Sequence, residues 1–357
     1  MSRRRWIALA GLLLLSAVAF YAYRRYSTRS SSARGDLLGM MPADASAALF
    51  VDVAELRSAS FVTQLFAWAP QPEPDEDYAQ FLKDTGFHYE HDLDHLAIAF
   101  ERIGQDSAFF AVAEGRFDRQ KISAVATKSG SVERRSGHEI FAIPESGSAK
   151  KVLFTFLSNS RIVLTDHADL AQTLNTKKKG GDNAEWRARF ERLAGSPIFA
   201  VIRQDISPGE ALLSQAPGGL RSPQLSSVMD QLQWITLAGK PENDRIRIVA
   251  EGECSSEETT RQFADVLNGV LALAEAGLND VKTREQLDPA LREAYLDLLK
   301  SVDVSKLDRG DTKSVRLAFE ITPAFLEAAR RVSNSPANAI PAKPAPGRAS
   351  SSKKGRS

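Results

Sequence analysis

Cysteine is nearly absent from the chain: the 357 residues contain one, Cys254, so neither an intrachain disulfide nor a thiolate zinc site is available. Net charge is missing too. Lys+Arg 46 against Asp+Glu 45 leaves +1, which creates no global field to attract nucleic acid. There is no nucleophile-elbow GxSxG, no P-loop, no GxGxxG and no calcium loop, and Gly130-Ser131 and Gly147-Ser148 lack the flanking residues such motifs need. These absences argue against an enzyme of a familiar class and imply no cofactor. Stability has to come from packing, and 43% hydrophobic with 25% charged residues suffices for one large core or two ordinary ones.

A long apolar run occurs at the N-terminus. Arg3-Arg4-Arg5 precede Trp6 to Tyr23, and Arg24-Arg25 follow. These eighteen uncharged residues would span about 27 Å as a helix, close to a hydrocarbon core of about 30 Å, with Trp6, Tyr21 and Tyr23 at the interfaces. The reading is one N-terminal transmembrane helix, residues 1–26, anchoring the chain in the bacterial inner membrane with its body outside the cytoplasm. The alternative is a signal peptide cut after Ala17-Val18-Ala19, releasing a periplasmic protein. Arginines on both sides leave orientation undecided by charge alone. No cysteine follows the run, which excludes a lipoprotein.

Residues 27–39 begin Ser-Thr-Arg-Ser-Ser-Ser-Ala-Arg-Gly and read as a flexible linker. The body opens on Met40-Met41-Pro42-Ala43-Asp44-Ala45 and the strand Ala47 to Val53. The run MPADASAALFVDVAELRSASF, followed by Asp92-Leu93-Asp94, resembles an uncharacterised class of bacterial membrane-anchored envelope proteins opening with a Leu-Pro-Ala-Asp motif; Met41 stands in place of the leucine. The resemblance covers about half of the body and includes no catalytic signature. It implies location and architecture only.

The main internal signal is a repeat. Leu96 to Gly115 and Ile235 to Gly252 each read as a β-hairpin closing on Val-Ala-Glu-Gly, and each leads into a polar helix start. Ile198 to Ile202 mirrors Leu49 to Val53 upstream. The fold class is therefore α+β: a duplicated strand-helix-hairpin-helix unit forming mainly antiparallel sheets covered by helices. The first repeat spans 40–176, a connector 177–195 and the second repeat 196–332. A basic Pro/Ala/Ser tail, 333–357, buries no apolar area and reads as disordered. Strands at His138 to Ile143 and Lys151 to Leu157 find no counterpart in the second half. Period-two alternation predicts that Leu96, Ile98, Phe100, Ile235 and Leu237 are buried on equivalent faces. Ser255 and Glu258 have capping-box spacing before a long helix ending near Ala276, and a further helix spans Pro289 to Lys300.

Four features are candidates for chemistry. His88, His91 and His95 lie within His88-Tyr89-Glu90-His91-Asp92-Leu93-Asp94-His95, three of the five histidines among three carboxylates. That composition suits zinc, copper or nickel, as in a metal-dependent hydrolase, though the spacing is not that of a helical HExxH and a solvated turn explains it as well. Cys254, ahead of a helix N-terminus, is either an activated thiol or a small apolar residue at a strand end. Glu114 and Glu251 occupy equivalent repeat positions and would face each other as an acid/base pair if a pseudo-twofold brought them together, though solvent-facing strand ends followed by glycine turns explain them equally well. Lys177 to Lys179, with Lys353, Lys354 and Arg356, offer contacts to anionic lipid or cell-wall polymer, or are simply solvated. The functional reading is a non-enzymatic binding or scaffolding module with an envelope-protein or cell-wall partner, and metal-dependent hydrolysis is the alternative.

Overall fold

A computed structural model of the protein describes residues 30–68, 76–103, 106–144, 150–167, 169–175, 183–193, 195–203 and 229–333. The expected anchor, the lysines at 177–179, most of the Leu212 to Leu232 region and the tail from 334 lie outside the described residues. Among the described residues no helix is long and apolar enough to cross a membrane.

The strands are β1 (Ala47–Asp52), β2 (Leu93–Ile103), β3 (Asp106–Gly115), β4 (Ser131–Arg135), β5 (His138–Pro144), β6 (Lys151–Phe156) and β7 (Arg161–Thr165), then β8 (Ile198–Arg203), β9 (Leu232–Glu242), β10 (Arg245–Cys254), β11 (Asp303–Asp308) and β12 (Lys313–Ile321). The helices are α1 (Ser30–Gly39), α2 (Val53–Ser58), α3 (Ser60–Trp68), α4 (Glu76–Thr85), α5 (Tyr89–Asp92) and α6 (Arg119–Ser129), then α7 (Leu170–Asn175), α8 (Ala184–Arg192), α9 (Glu257–Asn279), α10 (Val281–Gln286), α11 (Pro289–Lys300) and α12 (Pro323–Ser333). All strands join one 12-stranded sheet in the order β11-β12-β10-β9-β8-β1-β2-β3-β7-β6-β5-β4. The chain is α+β, with an antiparallel sheet and helices on both faces.

The two halves of the sheet meet at the antiparallel pair β1/β8. Outward from it, one side runs β1-β2-β3-β7-β6-β5-β4 and the other β8-β9-β10-β12-β11, so β5 and β4 have no counterpart in the second half. Registers correspond as well. Val163, Val112, Ala97 and Phe50 stand opposite one another, and the row continues through Phe199, Ala238, Val249 and Ala318. The two Val-Ala-Glu-Gly segments thus occupy corresponding positions on β3 and β10. Two strands were not legible in the sequence. β4 has one apolar residue and is exposed throughout; β11 carries its apolar residues, Val304 and Leu307, three apart rather than alternating. β11 supplies the counterpart of β6 that the second half was expected to lack.

On the face carrying Phe50, the core gathers Leu37 and Leu38 of α1, Leu170 of α7, and Trp186 and Phe190 of α8. On the opposite face, Leu96, Ile98 and Ala113 pack under Leu56 of α2, Phe61 of α3 and Ile122 of α6, while Phe263 of α9 covers part of β9, β10 and β12. Leu96, Ile98 and Ile235 are buried as expected, but Phe100 and Leu237 are 36% and 38% exposed. Phe100 lies opposite Ala47, where β1 begins, and Leu237 faces an open cleft.

Local chemistry explains several boundaries. Asp118 caps α6 by accepting from the Lys121 amide, and Asp288 ahead of Pro289 starts α11. The cap of α9 is Ser256, one residue beyond the expected Ser255; its hydroxyl accepts from the Thr259 amide at 3.1 Å. The two repeat glycines are required by close approach. A Cβ at Gly115 would sit 2.1 Å from the Asp92 carbonyl oxygen, and one at Gly252 would sit 2.9 Å from Phe263.

Residues 30–39, expected to be part of a flexible linker, form α1, with Leu37 fully buried and Arg34 6% exposed. The sequence Ser-Ser-Ser-Ala-Arg-Gly-Asp-Leu-Leu-Gly has little helix propensity. Its helicity is owed to the sheet it lies on.

Candidate functional site

Two positions along from the Phe50 row, on the same face, a polar row crosses the first half: Asp52, His95, Glu114 and Arg161 stand opposite one another on β1, β2, β3 and β7. Asp52 is 1% and His95 7% exposed. His95 Nε2 lies 3.6 Å from Asp52 Oδ2, and its Nδ1 lies 3.9 Å from Glu114 Oε2. Both separations exceed hydrogen-bond length. The other Asp52 oxygen accepts from the Glu55 amide at 2.7 Å and caps α2, while Arg161 Nη2 lies 3.5 Å from Glu114 Oε2.

α1 covers this row. The Arg34 guanidinium sits 5.1 Å from the centroid of the Phe50 ring, which itself stacks on His95 at 6.3 Å. Burial pulls the Arg34 guanidinium below its ordinary range, against the opposing pull of Asp52 and Glu55. Arg34 Nε, Asp52 Oδ2 and His95 Nδ1 are buried with no hydrogen-bond partner. The corresponding positions of the second half are Val201, Thr236, Glu251 and Arg316, so the buried Asp-His couple belongs to the first half alone.

The sequence candidates fall as follows. His88 and His91 lie at the N-terminal boundary and within α5, with ring centroids 6.3 Å apart, whereas His95 points from β2 into the buried row. The structure does not bring the three imidazoles together, and among the described residues no three His, Cys, Asp or Glu side chains converge as a metal site. The physical reason is local. The strand begins at Leu93, so His95 follows strand alternation while His88 and His91 follow the preceding turn of helix.

Glu114 and Glu251 do not face each other. The β1/β8 pseudo-twofold places them on opposite flanks of the sheet, five strands apart, about 24 Å at the usual spacing. Each has arginine partners instead. Glu251 receives Arg309, Arg192 Nη1 at 3.1 Å and the Ser314 hydroxyl at 2.9 Å; burial works to raise its pKa, but these hydrogen bonds and charges outweigh it and hold the carboxyl below its ordinary value. Neighbouring Glu253 pairs with Arg189 and Arg192 of α8, and Arg189 lies 3.8 Å from the centroid of the Trp234 ring. This ion-pair group joins α8 to β10. Its members lie about 60 positions apart in the chain, so no local pattern announces it.

Cys254 ends β10, is 5% exposed, and donates weakly to the Gly252 carbonyl at 3.8 Å. Burial pushes its thiol up despite a hydrogen bond with Thr260. That is the environment of an inert packing residue rather than of a nucleophile.

A cleft of about 210 Å³ opens on the face opposite Phe50. Ile235 and Leu237 of β9, Ala250 of β10, Leu317 of β12, and Phe263 and Leu267 of α9 form its walls. Its side-chain walls are apolar; Glu251 borders it from β10 while turning its carboxylate to the other face, toward Arg192.

No protein-family model matches the chain, and no curated protein sequence matches it. Among solved structures, crystal form III of TP0453 aligns with TM-score 0.45 and 11% identity over 84% of this chain and 98% of that one. Crystal form IV gives TM-score 0.43 and 12% identity over 82% and 95%, and crystal form I gives 0.42 and 11% over 84% and 97%.

Proposed function

We propose that the protein is a membrane-tethered, extracytoplasmic binding or scaffolding module of the bacterial envelope, without enzymatic activity, built by duplication of one strand-helix-hairpin-helix unit. The correspondence of the two halves in strand order and register, with the Val-Ala-Glu-Gly segments in equivalent places, supports the duplication. The apolar run Trp6 to Tyr23 supports the tether. The observation that carries the binding reading is the cleft on the second half, where Leu237, an exposed large apolar side chain, lies against apolar walls formed by β9, β10, β12 and α9. Apolar walls of that kind suit a ligand or partner whose apolar part leaves water on binding.

Two measurements test this. A reporter that is active only outside the cytoplasm, fused after Val332, gives signal, and the full chain stays with membranes through a carbonate wash. Release of a shortened chain beginning near Phe20 would mean cleavage rather than anchoring. For the cleft, a component co-purifying from membranes with the full chain is lost on Leu237→Arg. Equal retention by the variant would remove the cleft from the binding function.

A further inference from the structure

The described contacts of α1 combine two core leucines and the Arg34 guanidinium over the Phe50 ring with a poorly matched polar set. Leu37 and Leu38 enter the core, and Asp36 Oδ2 lies 4.0 Å from Arg161 Nη2. Against these stand three buried polar atoms without hydrogen bonds, Arg34 Nε, Asp52 Oδ2 and His95 Nδ1, each of which loses its hydration when α1 is in place. The helix has ten residues, among them three serines and two glycines, and does not persist in water by itself. Leaving the sheet and losing helicity are therefore one event.

We propose that α1 is a releasable latch, with a docked helical state and a released unfolded state, whose release uncovers the Asp52-His95-Glu114-Arg161 row while the sheet stays intact. The groups facing the latch are Asp52 and Phe50 of β1, His95 of β2, Glu114 of β3 and Arg161 of β7, with Glu55 of α2 close enough to act on Arg34. On release, Arg34 and the Asp52 and His95 side chains regain water. This return of hydration offsets part of the lost burial of Leu37 and Leu38, which keeps the two states close in free energy.

Native-state hydrogen exchange of the full chain tests the proposal. The amides of residues 37–41 exchange with one common opening, at least about a hundredfold faster than those of Phe50 and Ala97, and that opening is insensitive to low denaturant. Leu37→Ala accelerates exchange of residues 37–41 by at least about thirtyfold and leaves the strand amides unchanged. Protection that instead rises steadily from Ser30 to Gly39 would mean simple fraying and overturn the latch. Exchange of α1 only together with the strands, or an equal effect of Leu37→Ala on both, would make the helix part of the global core and overturn it as well.

Discussion

Phe50 and Phe199 stand opposite each other where the two halves of the sheet meet, one on β1 and the other on β8, with rings stacked at 5.3 Å and 25°. They are each other's counterpart in the two halves, so the pseudo-twofold passes between them. In an antiparallel pair that point is where the two strands are related by a half-turn, and the seam is self-complementary. Phe50 is fully buried and Phe199 1% exposed. The halves meet through one aromatic pair and the ladder around it.

Replacing either ring should be costly. Phe50→Ala and Phe199→Ala are each expected to lower unfolding free energy by about 3–5 kcal/mol. The double variant should lose less than the sum, because the second truncation removes a contact the first has already broken. Denaturant unfolding of all four proteins measures the coupling, and strict additivity would show that the pair is not energetically joined.

The two repeat glycines should respond differently to alanine. At Gly115 the added methyl meets backbone, the Asp92 carbonyl oxygen, which no neighbouring substitution relieves. At Gly252 it meets the side chains of Phe263 and Leu232, so Phe263→Leu should recover part of the loss for Gly252→Ala. Thermal melts of the two singles and the rescue pair test this, and no recovery of Gly252→Ala by Phe263→Leu would show that the Phe263 ring is not what the added methyl meets.

The Glu251 carboxyl makes stability depend on pH. Its folded pKa lies below the ordinary value of about 4.3, so its contribution is present above that value and is lost as pH falls toward the folded pKa. Glu251→Gln should lower stability at neutral pH and flatten the stability profile below about pH 4.5. An unchanged acid limb would place the acid sensitivity in other carboxylates.

Cys254 should behave as a core residue. With its thiol buried and its pKa raised, modification by a thiol reagent at pH 8 should proceed no faster than unfolding of β10 and accelerate in denaturant. Labelling of the native protein at the rate of a free thiol would contradict the burial.

The three histidines should separate into two classes. His88→Ala with His91→Ala is expected to shift stability by less than about 0.5 kcal/mol, in keeping with positions at the surface of a turn. His95→Ala opens a hole in a buried polar row and leaves the Asp52 carboxylate without its neighbour, which is expected to cost about 2 kcal/mol or more. Equal effects in chemical denaturation would return His95 to the turn.

The local and repeated features are written in the sequence: the hairpins closing on Val-Ala-Glu-Gly, the strand expected over Ala47 to Val53 with Ile198 to Ile202 mirroring its end, and the helix Pro289 to Lys300. Alternation and capping chemistry act over a few residues, so they are written in consecutive positions. The tertiary structure decided what depends on partners far along the chain. That the halves share one sheet follows from pairing of β1 with β8, roughly 150 residues apart, which no local period encodes. The helix at Ser30–Gly39 exists because Leu37 and Leu38 find a core, and its own residues would not hold it. The same holds for the candidate site: His95 reads as one of three turn histidines until strand alternation and the folding of β1 beside β2 set it against Asp52. Glu114 and Glu251 read as a pair until the twofold that relates them carries them to opposite flanks.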